Sequence, residues 1–284
     1  MDSYFIPARH GLGDIVANYF VSGTLPNIRL RQLIHAKLQG NIDRIMVIHE
    51  GGMTPRLSEL WSLFGQRAGV EIVCKMSAQF NGSDGVLDAD VDNRFPAIVH
   101  GFRNLLTNFD PVISAEENLP EVYLPTIKPV FVGIPDRFVL FSDSAGSPDR
   151  VLTHLPILFW IKARTGLPVI KVGQSQLRGA IGHTSGEDFN WINSLSLPET
   201  FWLAQHAAVI VAPLTFFRVF GRIFGTKVIE LALGGIVSHD TVLRTGHEYA
   251  GGAYGISPET NCWFVLPAQT EAFLVKLKEI TDGV

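Results

Sequence analysis

Residues 44–74 read RIMVIHEGGMTPRLSELWSLFGQRAGVEIVC and contain one full alternation of strand-like and helix-like sequence. Residues 44–49 are mostly apolar and lead into a turn with two glycines, which predicts a buried strand. Residues 55–68 carry apolar side chains at the i, i+3, i+4, i+7 spacing of an amphipathic helix. They are Leu57, Leu60, Trp61 and Phe64. Residues 70–74 predict a further strand. A strand, a helix and a strand in this order predict a parallel sheet with a crossover helix.

The same alternation recurs on both sides of this segment. Near the start, residues 4–6 predict a strand, 11–13 a turn and 14–21 a helix. In the second half, strands are predicted at 138–141, 168–172, 209–211, 227–231 and 263–265, and helices at 151–164, 197–207, 216–224 and 268–281. The pattern is looser over 77–130, and prolines break the chain near 125–135. We therefore predict an α/β protein with two Rossmann-like domains that face a cleft, residues 1–130 and 131–284.

Composition narrows the class of protein. The chain has 284 residues, of which 46% are hydrophobic and 18% charged, which is typical of a globular protein. Residues 1–130 hold 11 Lys and Arg against 14 Asp and Glu, and the whole chain has a net charge of −4. This even, slightly acidic balance disfavours a nucleic-acid binder. Two cysteines exclude a disulfide scaffold, and neither a signal peptide nor a membrane span is predicted, so we expect a cytoplasmic protein.

The stretch Arg9-His10-Gly11-Leu12-Gly13-Asp14 lies where the first predicted strand turns into the first predicted helix. Gly11 and Gly13 lack side chains, so the backbone can approach a ligand, and a helix N-terminus favours an anion. Asp14 near that N-terminus is a candidate base. The alternative is that the glycines shape a turn and Asp14 caps the helix.

Gly11 to Asp14, placed before an apolar helix at the start of a two-domain α/β chain, resembles the opening of GT-B glycosyltransferases. The resemblance is closest to the heptosyltransferase-like family, glycosyltransferase family nine. It implies that Asp14 deprotonates the acceptor hydroxyl. It also implies an acceptor-side domain at 1–130 and a nucleotide-sugar-binding domain at 131–284, with neither metal nor further cofactor. The chain departs from the family after residues 209–211, where Ala212-Pro213-Leu214-Thr215 replaces the family's Asp-Ser-Gly and histidine.

Further residues are candidates for binding the donor together with Gly11 and Gly13. The loop 142–147 offers hydroxyls and backbone amides to a phosphate, from Ser142, Ser144 and Gly146. Three cations suit a diphosphate: Arg150, Lys171 and Arg218. Asp143 would repel a phosphate, so a hydrogen bond to donor or acceptor is the role open to it. The resemblance implies that Glu230 holds ribose hydroxyls. Each of these roles has an alternative. The loop 142–147 can be a solvated turn, Arg218 can lie on a solvated helix face, and Glu230 can form a buried pair with an arginine.

These residues predict an enzyme that moves a sugar from a nucleotide-diphospho-sugar to an acceptor hydroxyl. A glycan or lipid precursor is the acceptor that the resemblance favours. One alternative is transfer to a hydroxylated nucleic-acid base, which the acidic charge disfavours. Another is a non-catalytic module that binds a nucleotide or a sugar.

Overall fold

The computed structural model of the chain describes residues 3–8, 44–49, 55–69, 71–76, 124–131, 133–143, 152, 156–173, 187–191, 194–233 and 259–283. The chain divides into two compact units, Met1–Tyr123 and Leu124–Val284. The predicted turn at 11–13 and helix at 14–21 lie outside the described residues.

The first unit contains a parallel sheet of three strands in the order β1-β2-β3. The strands are β1 (Ser3–Ala8), β2 (Arg44–His49) and β3 (Glu71–Met76). Helix α1 (Pro55–Ala68) connects β2 to β3, and its apolar face buries Leu57, Leu60 and Trp61. The strand–helix–strand unit predicted for residues 44–74 is confirmed.

The second unit contains a parallel sheet of six strands in the order β6-β5-β4-β7-β8-β9. The strands are β4 (Val139–Phe141), β5 (Val169–Lys171), β6 (Phe189–Asn190), β7 (Val209–Pro213), β8 (Val228–Leu233) and β9 (Asn261–Leu266). Strands β5 and β6 lie in succession on one side of β4, and strands β7, β8 and β9 lie in succession on the other side. This doubly wound order confirms the predicted α/β class. It also creates a topological switch point between β4 and β7.

Helical segments connect and cover the strands of the second unit. They are α2 (Ile157–Thr165), α3 (Leu197–His206), a 3-10 turn (Phe216–Val219), α4 (Phe220–Phe224) and α5 (Thr270–Asp282). The prediction that the first of them begins at Val151 is wrong, because helix α2 starts directly after Pro156. A proline disfavours helical backbone in the residue before it. Within the described ranges, no helix has the length and apolar character needed to cross a membrane.

The core of the second unit lies between the sheet and helices α2 and α5. Ile161 of α2 and Phe273 of α5 belong to the same buried cluster as Val211 of β7 and Leu231 of β8. Since side chains alternate along a strand, Glu230 points to the opposite face of the sheet.

The segment 124–131 packs within the second unit. Leu124 is buried, and the N–H of Ile127 donates to the carbonyl of Pro198 at 3.1 Å. Lys128 lies over the ring of Trp202, 5.6 Å from its centroid. These contacts attach the segment to α3.

Candidate functional site

The switch point lies at the carboxyl ends of β4 and β7. The strands pair in parallel, and the N–H of Ser142 donates to the carbonyl of Val211 at 3.0 Å. The chain leaves β4 toward β5 and leaves β7 toward β8, so the two connections diverge. Ser142 and Asp143 follow β4 directly and are 1% and 2% exposed. In doubly wound sheets, ligands bind in the crevice that such divergence opens.

A buried ion pair joins the carboxyl ends of β4 and β5 next to this point. The Nζ of Lys171 lies 2.6 Å from Oδ2 of Asp143, with side-chain exposures of 0% and 3%. Lys171 ends β5 opposite Phe141, and Asp143 lies two residues further along the chain, on the same side of β4 as Phe141. A buried ammonium group requires such a partner, because desolvation of an isolated charge is very costly.

Burial raises the pKa of Asp143 above its ordinary value of 3.8, although Lys171 and the residue's own N–H oppose the rise. The nearby carboxylate of Glu187 adds a smaller increase to the pKa. Oδ1 of Asp143 is buried and makes no hydrogen bond of standard geometry within the described part of the chain.

A second buried pair lies on the other face of the sheet. Nη2 of Arg218, in the 3-10 turn, is 3.2 Å from Oε2 of Glu230 in β8. The side-chain amide of Asn261 donates to Oε1 of Glu230 and to the backbone carbonyl of Arg218, each at 2.9 Å. Burial raises the pKa of Glu230 above its ordinary value of 4.5, with Arg218 acting against the rise. The pairing of Glu230 with an arginine is the alternative that the sequence left open.

Gly221 allows the start of α4 to approach the start of β9 closely. A Cβ on Gly221 would lie 2.5 Å from Oδ1 of Asn261 and 2.9 Å from Cβ of Thr260. Both distances are shorter than van der Waals contact, so this position requires glycine. The close approach places Asn261 within reach of both Arg218 and Glu230.

The predicted site residues therefore fall into three groups: residues at the switch point, residues on the opposite face of the sheet, and residues outside the described ranges. Ser142 and Lys171 lie at the switch point, whereas Arg218 and Glu230 form a pair on the opposite face of the sheet. The structure does not bring the cations Lys171 and Arg218 together on one face. The other predicted residues lie outside the described ranges; they are Gly11, Gly13, Asp14, Ser144, Gly146 and Arg150.

Sequence reasoning missed the partner of Lys171 and the role of Asn261. Asp143 and Lys171 are far apart in the sequence, and only the placement of β5 beside β4 makes them neighbours. Asn261 had a weak signal, as a polar residue at the start of an apolar strand. Among the described residues, no group of three or more His, Cys, Asp or Glu has the arrangement of a metal site.

No family model matches the sequence, and no curated protein matches it either. Solved structures similar to the chain include glycosyltransferases. A glycosyl transferase family 9 protein from Veillonella parvula has 8% identity and a TM-score of 0.47, with 98% of this chain and 89% of that chain covered. ADP-heptose lipopolysaccharide heptosyltransferase II from E. coli has 14% identity and a TM-score of 0.43, with coverages of 89% and 81%.

The iron-containing dodecameric glycosyltransferase TibC from enterotoxigenic E. coli has 13% identity and a TM-score of 0.43. Its match covers 81% of this chain and 57% of TibC, so the chain spans a little over half of that protein's length. Heptosyltransferases are the group that the segment Gly11 to Asp14 resembles.

Proposed function

We propose that the chain is a glycosyltransferase that moves a sugar from a nucleotide-diphospho-sugar to an acceptor hydroxyl. The observation that carries the proposal is the doubly wound order of the second sheet, with polar residues Ser142 and Asp143 at its switch point. Nucleotides bind at this place in sheets of this order. The resemblance of Gly11 to Asp14 to the opening of family-nine enzymes supports transfer to an acceptor.

In the proposed reaction, Asp14 removes the proton of the acceptor hydroxyl as its oxygen attacks the anomeric carbon of the donor. The bond from that carbon to the diphosphate breaks, and the nucleoside diphosphate leaves with the bonding electron pair. Backbone amides and the Ser142 hydroxyl after β4 offset the charge that grows on the leaving group. We further propose that the transfer needs neither a metal ion nor another cofactor, so activity should survive EDTA.

A panel of UDP-, ADP-, GDP- and CMP-sugars tests this function, with thermal shift for binding and donor hydrolysis or transfer for turnover. Acceptors should include glycans, lipid precursors and hydroxylated nucleic-acid bases. We expect one nucleotide to stabilise the protein and its sugar conjugate to be consumed. Asp14→Asn should bind the donor normally and lose transfer by at least about a hundredfold. Full activity of a folded Asp14→Asn variant would refute the assigned base.

A non-catalytic module that binds a nucleotide or a sugar is the second candidate. The observation that favours it is that Lys171 and Arg218, two of the cations predicted for the diphosphate, each pair with a buried carboxylate. These pairs leave less positive charge for a leaving diphosphate. Stabilisation by a nucleotide without turnover of any conjugate, across all acceptors, would decide for the module.

A further inference from the structure

One oxygen of a buried carboxylate at the switch point accepts no hydrogen bond of standard geometry from the described residues. Asp143 is 2% exposed, and its Oδ2 is held by Lys171 at 2.6 Å. Its Oδ1 is buried and accepts no hydrogen bond within the described residues. Nearly all buried polar atoms of proteins are hydrogen-bonded, because an unsatisfied one is costly. A donor from outside the described chain is therefore needed at Oδ1.

The position of Asp143 indicates where that donor comes from. Asp143 directly follows Ser142, whose N–H bonds to Val211 across the β4–β7 pair. The carboxylate thus lies at the edge where doubly wound sheets bind their ligands. Lys171 approaches from β5 and fixes the carboxylate through Oδ2 alone, which leaves Oδ1 for a ligand atom.

The charge at this position selects a hydroxyl over a phosphate. The ammonium group of Lys171 is already paired with Asp143, and the carboxylate of Glu187 acts on the same site. A phosphate oxygen placed at Oδ1 would meet like charge and could donate no hydrogen. A sugar hydroxyl donates a short, charge-assisted hydrogen bond to a carboxylate.

We propose that Asp143 is a specificity-determining residue that accepts, through Oδ1, a hydrogen bond from a hydroxyl group of the bound nucleotide-sugar. Lys171 is the positioning residue that orients the carboxylate. This inference rests on the proposed function, since it assigns one contact within the same site. The hydroxyl belongs either to the ribose or to the transferred sugar.

The test compares the affinities of wild type and Asp143→Asn for three probes, by calorimetry. The probes are the nucleotide-sugar found in the panel, its free nucleoside diphosphate, and the 2′,3′-dideoxy form of that diphosphate. Asp188→Asn is the matched control, because both oxygens of Asp188 already accept hydrogen bonds within the protein, from Lys162 and from the N–H of Val169. This control should change none of the three affinities by more than about twofold.

If the hydroxyl is on the ribose, Asp143→Asn lowers the affinity for the nucleotide-sugar and for the diphosphate by at least about tenfold. The affinity for the dideoxy form is then unchanged. If the hydroxyl is on the transferred sugar, only the affinity for the nucleotide-sugar falls. Equal weakening of all three probes indicates a general structural defect and overturns the inference. Unchanged affinities for all three probes, which are expected if an ordered water donates to Oδ1, also overturn the inference. Tighter binding of all three probes overturns it as well.

Asp143→Asn leaves Lys171 buried without its charged partner, and the variant therefore risks unfolding. The double variant Asp143→Leu with Lys171→Met replaces both charges with apolar groups of similar size and is expected to fold. It should show the same pattern across the probes. Failure of wild type to bind any nucleotide would refute the proposed function, whereas binding without selective loss in the variants refutes the role of Asp143 alone.

Discussion

Nη2 of Arg218 lies 3.2 Å from Oε2 of Glu230, and this pair connects the 3-10 turn that follows β7 to the middle of β8. The side chain of Glu230 is fully buried and that of Arg218 is 13% exposed. The amide of Asn261 extends the connection to β9. Three neighbouring elements at the β7 side of the switch point are therefore held together by a few polar contacts.

The first prediction concerns the energy of this pair. Arg218→Met leaves the Glu230 carboxylate buried without its cation and should lower the free energy of unfolding by about 3–5 kcal/mol. Equilibrium urea denaturation measures the change. The control is Lys276→Met, which removes an exposed ion pair with Glu279 on α5 and should cost less than about 1 kcal/mol. Equal losses of unfolding free energy in the two variants would show that the buried pair stabilises the fold no more than an exposed one.

The second prediction concerns Gly221. Gly221→Ala would force its Cβ to within 2.5 Å of Oδ1 of Asn261, so we expect a loss of about 1–3 kcal/mol in unfolding free energy. Asn261→Ala is destabilising by itself, because it removes the hydrogen bonds of the amide to Glu230 and to the carbonyl of Arg218. In that background, however, Gly221→Ala should cost less than it does in wild type, because the contacted oxygen is then absent. Thermal and urea unfolding of the single and double variants measure this coupling.

Gly166→Ala is the control for Gly221→Ala. A Cβ there meets nothing within 4 Å, but the backbone has a φ of +66°. This substitution should cost about 1 kcal/mol through conformation alone, and Asn261→Ala should not relieve it. Purely additive effects of Gly221→Ala and Asn261→Ala would contradict the close approach.

Local sequence patterns predicted most of the described strands and helices. Buried parallel strands are continuous apolar runs, which made β7 and β8 recognisable, and helix α1 carries a clear helical period. Strand β6, Phe189–Asn190, was missed because so short a segment has no period. The apolar pattern predicts a start for α2 that is too early, because Pro156 disfavours helical backbone in the residue before it and the helix begins at Ile157.

The candidate site was harder to predict than the fold, because its contacts depend on strand order. The sequence offered Lys171 as a strand-end cation, but the partner Asp143 becomes its neighbour only when β5 lies beside β4. The sequence predicts ligand contacts for Arg218 and Glu230, and the alternative that it leaves open for Glu230 is a buried pair with an arginine that it does not identify. Only the register of β7 and β8 brings them into contact.

The third prediction is that Asp188 stabilises the fold less at low pH. Partial burial raises its pKa, but hydrogen bonds from Lys162 and from the N–H of Val169 outweigh this and lower the pKa of Asp188 below the ordinary 3.8. Its stabilisation is therefore complete above that value and is lost as the pH falls through the folded-state pKa. The difference in unfolding free energy between wild type and Asp188→Asn should shrink in that acidic range. A constant difference would contradict the assignment.

The fourth prediction has the opposite sign and concerns Glu230. Burial raises the pKa of Glu230 above 4.5, against the attraction of Arg218. Between the unfolded and folded pKa values, the folded state binds a proton that the unfolded state has released, so stability falls as the pH rises through this window. Glu230→Gln lacks this titration. Urea denaturation from about pH 4 upward should show a steeper decline for wild type than for the variant, and parallel curves would exclude the effect.

The last prediction locates the ligand by hydrogen exchange. The nucleotide that stabilises the protein should slow amide exchange where the chain leaves β4 and β7, in peptides that contain Ser142 and Asp143 or Leu214 and Thr215. These residues lie at the diverging connections of the sheet, where a doubly wound fold binds its ligand. A peptide covering α5, Thr270–Asp282, is the internal control, because this helix packs on a face of the sheet and not at its carboxyl edge. Protection confined to α5 would place the site elsewhere. Equal protection throughout the second unit would indicate only global stabilisation.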